Sequence, residues 1–241
     1  MAEVIARSEV SATIVRTENF VTDAASFILE QARAALAERG EFRIALSGGN
    51  TPRPVYAEFG RIARELPWEN VRFTFGDERC VPPDDLESNY RMASESLFAP
   101  QSIPERSIMR LRGEIDPPLA AQEYEDALKL LATQHGETIY RHDLMLLGMG
   151  DDGHTASLFP GTAALHEEIR QVIANFVPKL ETWRLTMTLP LLNQSRHVLF
   201  LVRGNKSQQL IDQVLAGGDY PASLVNPPNG QLTWMIGMDP A

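Results

Sequence analysis

The stretch LMLLGMGDDGHTASLFP, residues 144–160, joins four apolar residues to a glycine-rich turn that carries two carboxylates and a histidine. The apolar run predicts a buried strand, and the turn directly after such a strand is where α/β proteins hold their ligands. Three glycines in six residues, the last of them Gly153, let the backbone approach a ligand closely. Asp152 stands two positions before His154, near enough to orient its imidazole ring. The stretch predicts a general base on a loop at the end of a strand.

Helical and strand-like patterns alternate along the rest of the chain. Apolar spacing predicts helices over residues 19–39, 54–66, 88–98, 118–134 and 207–215. Short apolar or alternating runs predict strands over residues 42–46, 71–75, 142–147, 184–188, 197–202 and 232–236. This order predicts an α/β fold with a mostly parallel sheet and helices on both faces, formed by one domain over residues 1–241.

Composition and charge limit the classes of function. The chain has 241 residues, of which 44% are hydrophobic, and lacks both a run of about eighteen apolar residues and the apolar segment of a signal peptide. We therefore expect a cytoplasmic protein, either a monomer or a weak homodimer. The formal net charge of −10 argues against binding to nucleic acid or to a membrane surface. An anionic substrate would need local cations and helix N-termini.

No metal site or disulfide is expected. Cys80 is the single cysteine, so an internal disulfide and multi-cysteine metal sites are excluded. Its neighbour Arg79 could lower the pKa of the thiol, but we favour a small packed residue over a nucleophile. The remaining histidines lie in predicted helices, strand starts or connections and show no H-E-x-x-H spacing, which favours surface or core positions over metal ligands. They are His135, His142, His166 and His197.

Three loops are predicted to converge at the carboxyl ends of the strands. They are residues 47–52, 76–79 and 148–160. The first contains Ser47, Gly48, Gly49 and Thr51 between a strand and a helix, an arrangement that suits a phosphate but also occurs in ordinary structural turns. It is not a Walker loop, because it lacks the Gly-Lys-Ser/Thr ending.

The second loop carries Asp77 and Arg79. Neighbouring opposite charges often pair with each other merely to hold a loop. Beside a phosphate-binding turn, however, Arg79 offers a bidentate fork for phosphate or substrate oxygens, and Asp77 could hold sugar hydroxyls or orient Arg79. We favour the functional interpretation.

Three strings resemble the 6-phosphogluconolactonases, the sugar-phosphate lactonases of the pentose phosphate pathway. They are ALSGGNTPRPVY (residues 45–56), FGDERCVPPDDLESN (75–89) and LLGMGDDGHTASLFPGT (146–162), and the resemblance continues through TWRLTMTLPLLNQSRHVLFLVRG (182–204) and YPASLVNPPNGQLTWMIG (220–237). It implies the fold of the glucosamine-6-phosphate deaminase, ribose-5-phosphate isomerase and CoA-transferase-like group. It also implies a sugar phosphate lactone as substrate, with no cofactor and no metal.

The resemblance also implies the roles of individual residues. A lactone is an activated ester, so a base that positions water and donors for the oxyanion suffice; His154 would be the base and Asp152 its orienting partner. Glycine N–H groups, including that of Gly153, are candidate oxyanion donors. Phosphate and sugar contacts fall on Ser47, Gly48, Gly49, Thr51, Arg79, Asn89 and a lysine after the strand over residues 197–202. That lysine is Lys206, although the family usually has glycine, two residues and then lysine, and this chain is one residue shorter. Arg184 is a further candidate.

Two alternatives remain at this point. Glucosamine-6-phosphate deaminases share the fold, but they continue Asp-Gly-His with Ile-Ala-Phe-Asn-Glu where this chain has Thr155 to Pro160, and carry Asp-Glu-Tyr where this chain has Asp77-Glu78-Arg79. Both differences favour the lactonase over an amino-sugar phosphate deaminase or isomerase. The other alternative is a non-catalytic sugar-phosphate sensor, which would need an added DNA-binding segment with a basic surface.

Overall fold

The structure, a computed structural model, describes residues 2–6, 11–203 and 208–238. The strands in these residues are β1 (Ala2–Ala6), β2 (Ser11–Thr17), β3 (Phe42–Leu46), β4 (Val71–Phe75), β5 (Asp77–Arg79), β6 (Leu144–Leu147), β7 (Val172–Val177), β8 (Thr182–Met187), β9 (His197–Val202) and β10 (Gln231–Gly237). The α-helices are α1 (Phe20–Arg39), α2 (Pro52–Ile62), α3 (Asn89–Ala93), α4 (Pro117–Gln134), α5 (Leu189–Leu192) and α6 (Gln208–Leu215). The predicted α/β class is confirmed.

A seven-stranded sheet of the described residues has the order β1-β2-β10-β9-β6-β3-β4. All neighbouring strands in it are parallel except β1 and β2. Every residue of β3, β6 and β9 is buried, so both faces of the sheet are covered at its centre. β3 and β6 are neighbours in the sheet. The strand that follows β3 in the chain, β4, lies on the far side of β3, and β9 lies on the far side of β6. The carboxyl ends of β3 and β6 therefore flank the topological switch point, where a ligand crevice is expected.

Local sequence explains where helix α1 ends and where helix α2 begins. Helix α1 ends at Gly40, whose φ of 71° is left-handed and whose N–H donates to the carbonyl of Leu36 at 2.9 Å. Helix α2 begins at Pro52, two residues before the predicted start, because proline suits the first turn. It ends at Ile62, four residues before the predicted end at Leu66. Its N-terminus consequently lies directly beside the turn that follows β3.

A second sheet of three antiparallel strands has the order β5-β8-β7. The sequence predicted residues 76–79 only as the exit of a strand and did not predict β7 as a strand. The chain crosses between the sheets at Gly76, whose N–H donates to Leu46 in β3 and whose carbonyl accepts from Met187 in β8. Apolar residues of both sheets belong to one hydrophobic core. The second sheet therefore holds its loops against the carboxyl edge of the first.

Further differences concern single residues and segments. The predicted helix over residues 88–98 is the short helix α3 followed by a π-helical turn over Ser94–Phe98. Cys80 is half-buried, and burial raises the pKa of its thiol to about 11, which confirms the packed interpretation. His142 and His197 are buried core residues, as predicted. No helix within the described residues is long and apolar enough to cross a membrane.

Candidate active site

A cleft opens at the carboxyl ends of β3 and β6, and the three predicted loops meet there. Residues 47–52 form one wall and residues 148–150 the opposite wall. Asp77, Arg79 and His154 border this part and also a neighbouring part that extends to Lys179 and Arg184. The two parts are therefore one continuous cleft with the imidazole of His154 near its middle.

The turn after β6 holds His154 against Asp152. The Nδ1 atom of His154 lies 2.6 Å from Oδ1 of Asp152, and the same oxygen accepts from the main-chain N–H of His154 at 3.3 Å. Gly150 lies so close to the ring that a Cβ there would be 2.0 Å from both Nδ1 and Cε1. Only glycine at position 150 leaves room for this orientation of the imidazole.

The charge of Asp152 determines which ring nitrogen is available. Burial by itself would raise the pKa of Asp152, but hydrogen bonds from His154 and from Lys179 lower that pKa to about 2. An ionised carboxylate only accepts hydrogen bonds, so Nδ1 of His154 carries a hydrogen, and in the neutral ring the lone pair is then on Nε2. Phe159 stacks on the ring, with centroids 4.1 Å apart and planes at 24°. The arrangement suits a neutral general base that acts through Nε2.

The turn after β3 presents a buried hydroxyl and a helix N-terminus to the cleft. The Tyr56 hydroxyl accepts from the Ser47 N–H at 2.9 Å and donates to the Ser47 carbonyl at 2.8 Å, which fixes the backbone there. The Ser47 hydroxyl oxygen is buried without a partner among the described residues and lines the cleft. Thr51 occupies the N-cap position of α2 at the same wall, and its side chain makes no capping hydrogen bond. Unused donors beside a helix N-terminus form a site for an anion.

Glycines at two positions of this turn are required by the structure. Gly49 has a left-handed φ of 94°. A Cβ at Gly48 would lie 1.8 Å from Oδ1 of Asn89, so Asn89 packs directly against the turn. The Asn89 amide group donates to the Asp77 carbonyl at 2.9 Å and to the Asp77 carboxylate at 3.2 Å. Asn89 therefore lies behind the wall of the cleft, in contact with Asp77 and Gly48.

The second sheet contributes two arginines and a carboxylate. Arg79 in β5 and Arg184 in β8 are register partners, so two guanidinium groups project from neighbouring positions toward the cleft. Burial, followed by the charge of Arg79, lowers the pKa of Arg184, while the nearby charges of Asp77 and Glu87 act in the opposite direction. The buried Asp77 carboxylate accepts from the Ser157 hydroxyl at 2.7 Å. Asp77 is therefore held by Ser157 and Asn89 and does not form the ion pair with Arg79 that was the alternative interpretation.

The contacts of two charged residues, Glu78 and Lys179, were not predicted from the sequence. The buried Glu78 carboxylate accepts from the N–H groups of Arg79, Asn89 and Tyr90 and from the Ser88 hydroxyl, and so folds the loop between β5 and α3. Its position directly after a buried strand and ten residues before a Ser-Asn pair was the available signal. Lys179 donates to the Asp152 carboxylate at 3.0 Å from 27 residues away, and no local pattern marks such a contact.

Glycine is required at position 153 of the turn after β6. Gly153 has a left-handed φ of 74°, and a Cβ there would lie 2.5 Å from the Tyr220 ring. The N–H groups of Gly150 and Gly153 donate to carbonyls of the same turn, so this turn uses them internally. They are therefore not available as oxyanion donors in this arrangement. Lys206 lies outside the described residues.

This fold and this cleft define an α/β protein with a histidine–aspartate pair beside a glycine-rich turn at a helix N-terminus. The model of the family described as glucosamine-6-phosphate isomerases/6-phosphogluconolactonase matches residues 16–234. A 6-phosphogluconolactonase of Synechocystis is 42% identical over 207 residues, 84% of each chain, and one of Nostoc is 36% identical over 87% of each chain. The chain belongs to this family.

Solved structures agree with the family assignment. The 6-phosphogluconolactonase of Thermotoga maritima superposes with a TM-score of 0.84 at 28% sequence identity. The superposition covers 94% of this chain and 99% of the Thermotoga chain. The 6-phosphogluconolactonase of Trypanosoma cruzi gives a TM-score of 0.82 at 31% identity and covers 93% of each chain. The fold predicted from the resemblance is thereby confirmed. Within the described residues, no group of three or more His, Cys, Asp or Glu side chains is placed to hold a metal ion.

Proposed function

We propose that the chain hydrolyses 6-phospho-D-glucono-1,5-lactone to 6-phospho-D-gluconate in the oxidative pentose phosphate pathway. The observation that carries the proposal is the 2.6 Å contact between His154 and Asp152 in a cleft that also contains an anion-binding turn. The curated relatives named above are 6-phosphogluconolactonases, and they cover most of this chain. A lactone is an activated ester, so this set of groups is sufficient for its hydrolysis.

In the proposed reaction His154 activates water. Nε2 takes a proton from a water molecule as its oxygen attacks C1 of the lactone, and the carbonyl oxygen becomes an oxyanion. The tetrahedral intermediate collapses, the bond between C1 and the ring oxygen breaks, and the imidazolium returns the proton to the departing oxygen. Asp152 stabilises the imidazolium and holds its orientation. A general base of this kind contributes about 10²–10⁴-fold to the rate.

The phosphate is proposed to bind at the turn after β3. The buried Ser47 hydroxyl, the backbone of Gly48 and Gly49, and Thr51 at the N-terminus of α2 all lie at one wall of the cleft. Arg79 borders both parts of the cleft and can contact either end of a substrate. Lys206 stays a prediction for the same phosphate.

The sugar ring is proposed to lie between the two sheets. Asp77 lines both parts of the cleft and, with two donors already bound, can accept from sugar hydroxyls. Asn89 is proposed to act through Asp77, and Gly153 to shape the turn rather than to contact the phosphate. Arg184 supplies a second cation near His154 that can attract the lactone carbonyl and the product carboxylate.

Quaternary state and location are proposals as well. We propose that residues 1–241 act as one domain, which is supported by the hydrophobic core that both sheets share. The monomer or weak homodimer and the cytoplasmic location stay predictions from the sequence.

The test of the proposed function follows the disappearance of the lactone. Glucose-6-phosphate dehydrogenase generates the lactone in place, and its decay is measured by NMR with and without the protein. Accelerated decay supports the proposal, and an unchanged decay rate contradicts it. Release of ammonia from glucosamine 6-phosphate is measured in parallel, since a deaminase of the same fold would give that product.

A further inference from the structure

Lys179 contacts Asp152, the partner of His154 in the cleft. The mechanism proposed above does not use this contact. Its Nζ lies 3.0 Å from Oδ2 of Asp152, while Oδ1 of the same carboxylate faces Nδ1 of His154 at 2.6 Å. Each oxygen of Asp152 therefore has its own partner, and the plane of the carboxylate is fixed from both sides. With Lys179 removed, the carboxylate could rotate about its Cβ–Cγ bond and lose its alignment with the imidazole.

Lys179 comes from the other sheet. It lies in the short 3₁₀ turn Pro178–Leu180 between β7 and β8, and Glu181 closes that turn with a left-handed φ of 50°. Asp152 and His154, in contrast, follow β6 of the main sheet. The ion pair is therefore a link between the second sheet and the catalytic turn, and the Lys179 side chain borders the part of the cleft that contains Arg184.

We propose that Lys179 is a positioning residue that holds Asp152 in line with His154 and whose positive charge opposes protonation of that histidine. This inference rests on the proposed function, since it concerns the same base. A cation on the far side of Asp152 offsets part of the carboxylate charge that would otherwise favour an imidazolium. The neutral ring, the form that accepts a proton from water, then persists to lower pH.

The other charged groups that border the cleft around His154 are chemically unchanged when Lys179 is replaced. They are Asp151 and Asp152 on the turn after β6, Asp77 and Arg79 in β5, Arg184 in β8 and Arg203 after β9. In water-like surroundings a unit charge on the far side of Asp152 shifts the titration of a neighbouring group by roughly half a pH unit, and by more where the site is partly dry. A change at Lys179 alone is therefore measurable against this constant background.

The test compares Lys179→Met with Lys179→Arg and with Lys129→Met. Lys129 pairs with Glu125 at 3.2 Å on α4 and does not line the cleft, so it controls for the loss of an ion-paired lysine. Lys179→Met is expected to lower kcat about tenfold with KM within about twofold, because alignment of the base is worth more than binding here. The acid limb of its kcat/KM profile is expected to move up by about half a pH unit. Lys179→Arg is expected to keep the wild-type kcat and the wild-type acid limb. Lys129→Met is expected to change neither quantity.

A second readout does not depend on catalysis. The side-chain NMR signals of His154, assigned with His154→Asn, are titrated in the wild type and in Lys179→Met. A midpoint that rises in Lys179→Met supports the inference even if the substrate proves to be another ester. An unchanged midpoint together with an unchanged kcat overturns it. A wild type without lactonase activity would contradict the proposed function instead, and the NMR result would still decide the role of Lys179.

Discussion

Replacing Gly150 by alanine perturbs the pairing of carboxylate and imidazole by a single methyl group. That methyl carbon would lie 2.0 Å from Nδ1 and Cε1 of His154, whereas carbon and nitrogen atoms in contact stay about 3.5 Å apart. The ring would have to move by about 1.5 Å, and Phe159 stacked on the ring limits where it can go. A shift of this size breaks the 2.6 Å contact with Asp152.

The expected effect of Gly150→Ala is on kcat. A misplacement of about 1 Å in catalytic geometry costs about 10²-fold, so we expect kcat to fall by about that factor. KM should stay within about threefold, because the turn after β3, which is the proposed phosphate site, is not touched. The assay is lactone decay after generation by glucose-6-phosphate dehydrogenase, corrected for the spontaneous rate.

Gly148→Ala is the matched control in the same turn. A Cβ at Gly148 meets no atom within 4 Å, although the residue borders the same cleft. Its kcat should fall less than about threefold, and thermal unfolding of both variants should confirm that they fold. Wild-type kcat in both variants would mean that the contact between Asp152 and His154 does not matter for the rate. That result would refute the reasoning.

Two other predictions follow from buried polar groups. Ser47→Ala should raise KM about fivefold and leave the melting temperature unchanged, because the hydroxyl has no protein partner among the described residues to lose; a lower melting temperature with normal KM would mean a structural role. As the pH is lowered from about 6.5, the free energy of unfolding should decrease by up to ~1.4 kcal/mol per pH unit for each buried histidine. Burial lowers the pKa of His142 to about 3 and that of His197 to about 4, so the unfolded chain binds protons that the folded chain does not. Urea unfolding at pH 7, 6 and 5 measures this slope, and His142→Gln should flatten it.

Strands β3, β4, β6, β9 and β10 of the main sheet and the three loops of the cleft could be predicted because their signals are local, whereas β1 and β2 were not predicted. Apolar runs such as residues 42–46 and 144–147 end directly in glycine-rich turns, and parallel topology brings such turns to one edge. The second sheet could not be predicted in the same way. Its strand β5 has three residues, and the pairing of Asp77 with Thr186 joins positions more than a hundred residues apart. Tertiary contacts of that kind leave no periodic signal.

The candidate site shows the same division between local and long-range information. His154 and Asp152 are two residues apart, and their pairing was predicted. Asn89 was predicted to contact substrate but packs behind Gly48 and Asp77, because its neighbours come from two other loops. Lys179 was missed for the same reason. Side chains that meet across two sheets need the fold to be known first.

The electrostatic requirement raised by the acidic composition is met locally. The chain carries a formal net charge of −10, yet Arg79, Arg184 and Lys179 all border one cleft. Arg79 and Arg184 are direct register partners, and two like charges opposite each other are stabilised by additional negative charge nearby. A phosphorylated, acid-forming substrate supplies that negative charge.

The most direct measurement of the central claim is the rate of lactone hydrolysis by His154→Asn. Asparagine keeps a polar side chain that can contact Asp152 but has no basic nitrogen. The account predicts that kcat falls by about 10²–10⁴-fold while the KM and the melting temperature stay near the wild-type values. A His154→Asn variant that hydrolyses the lactone at the wild-type rate would contradict the account.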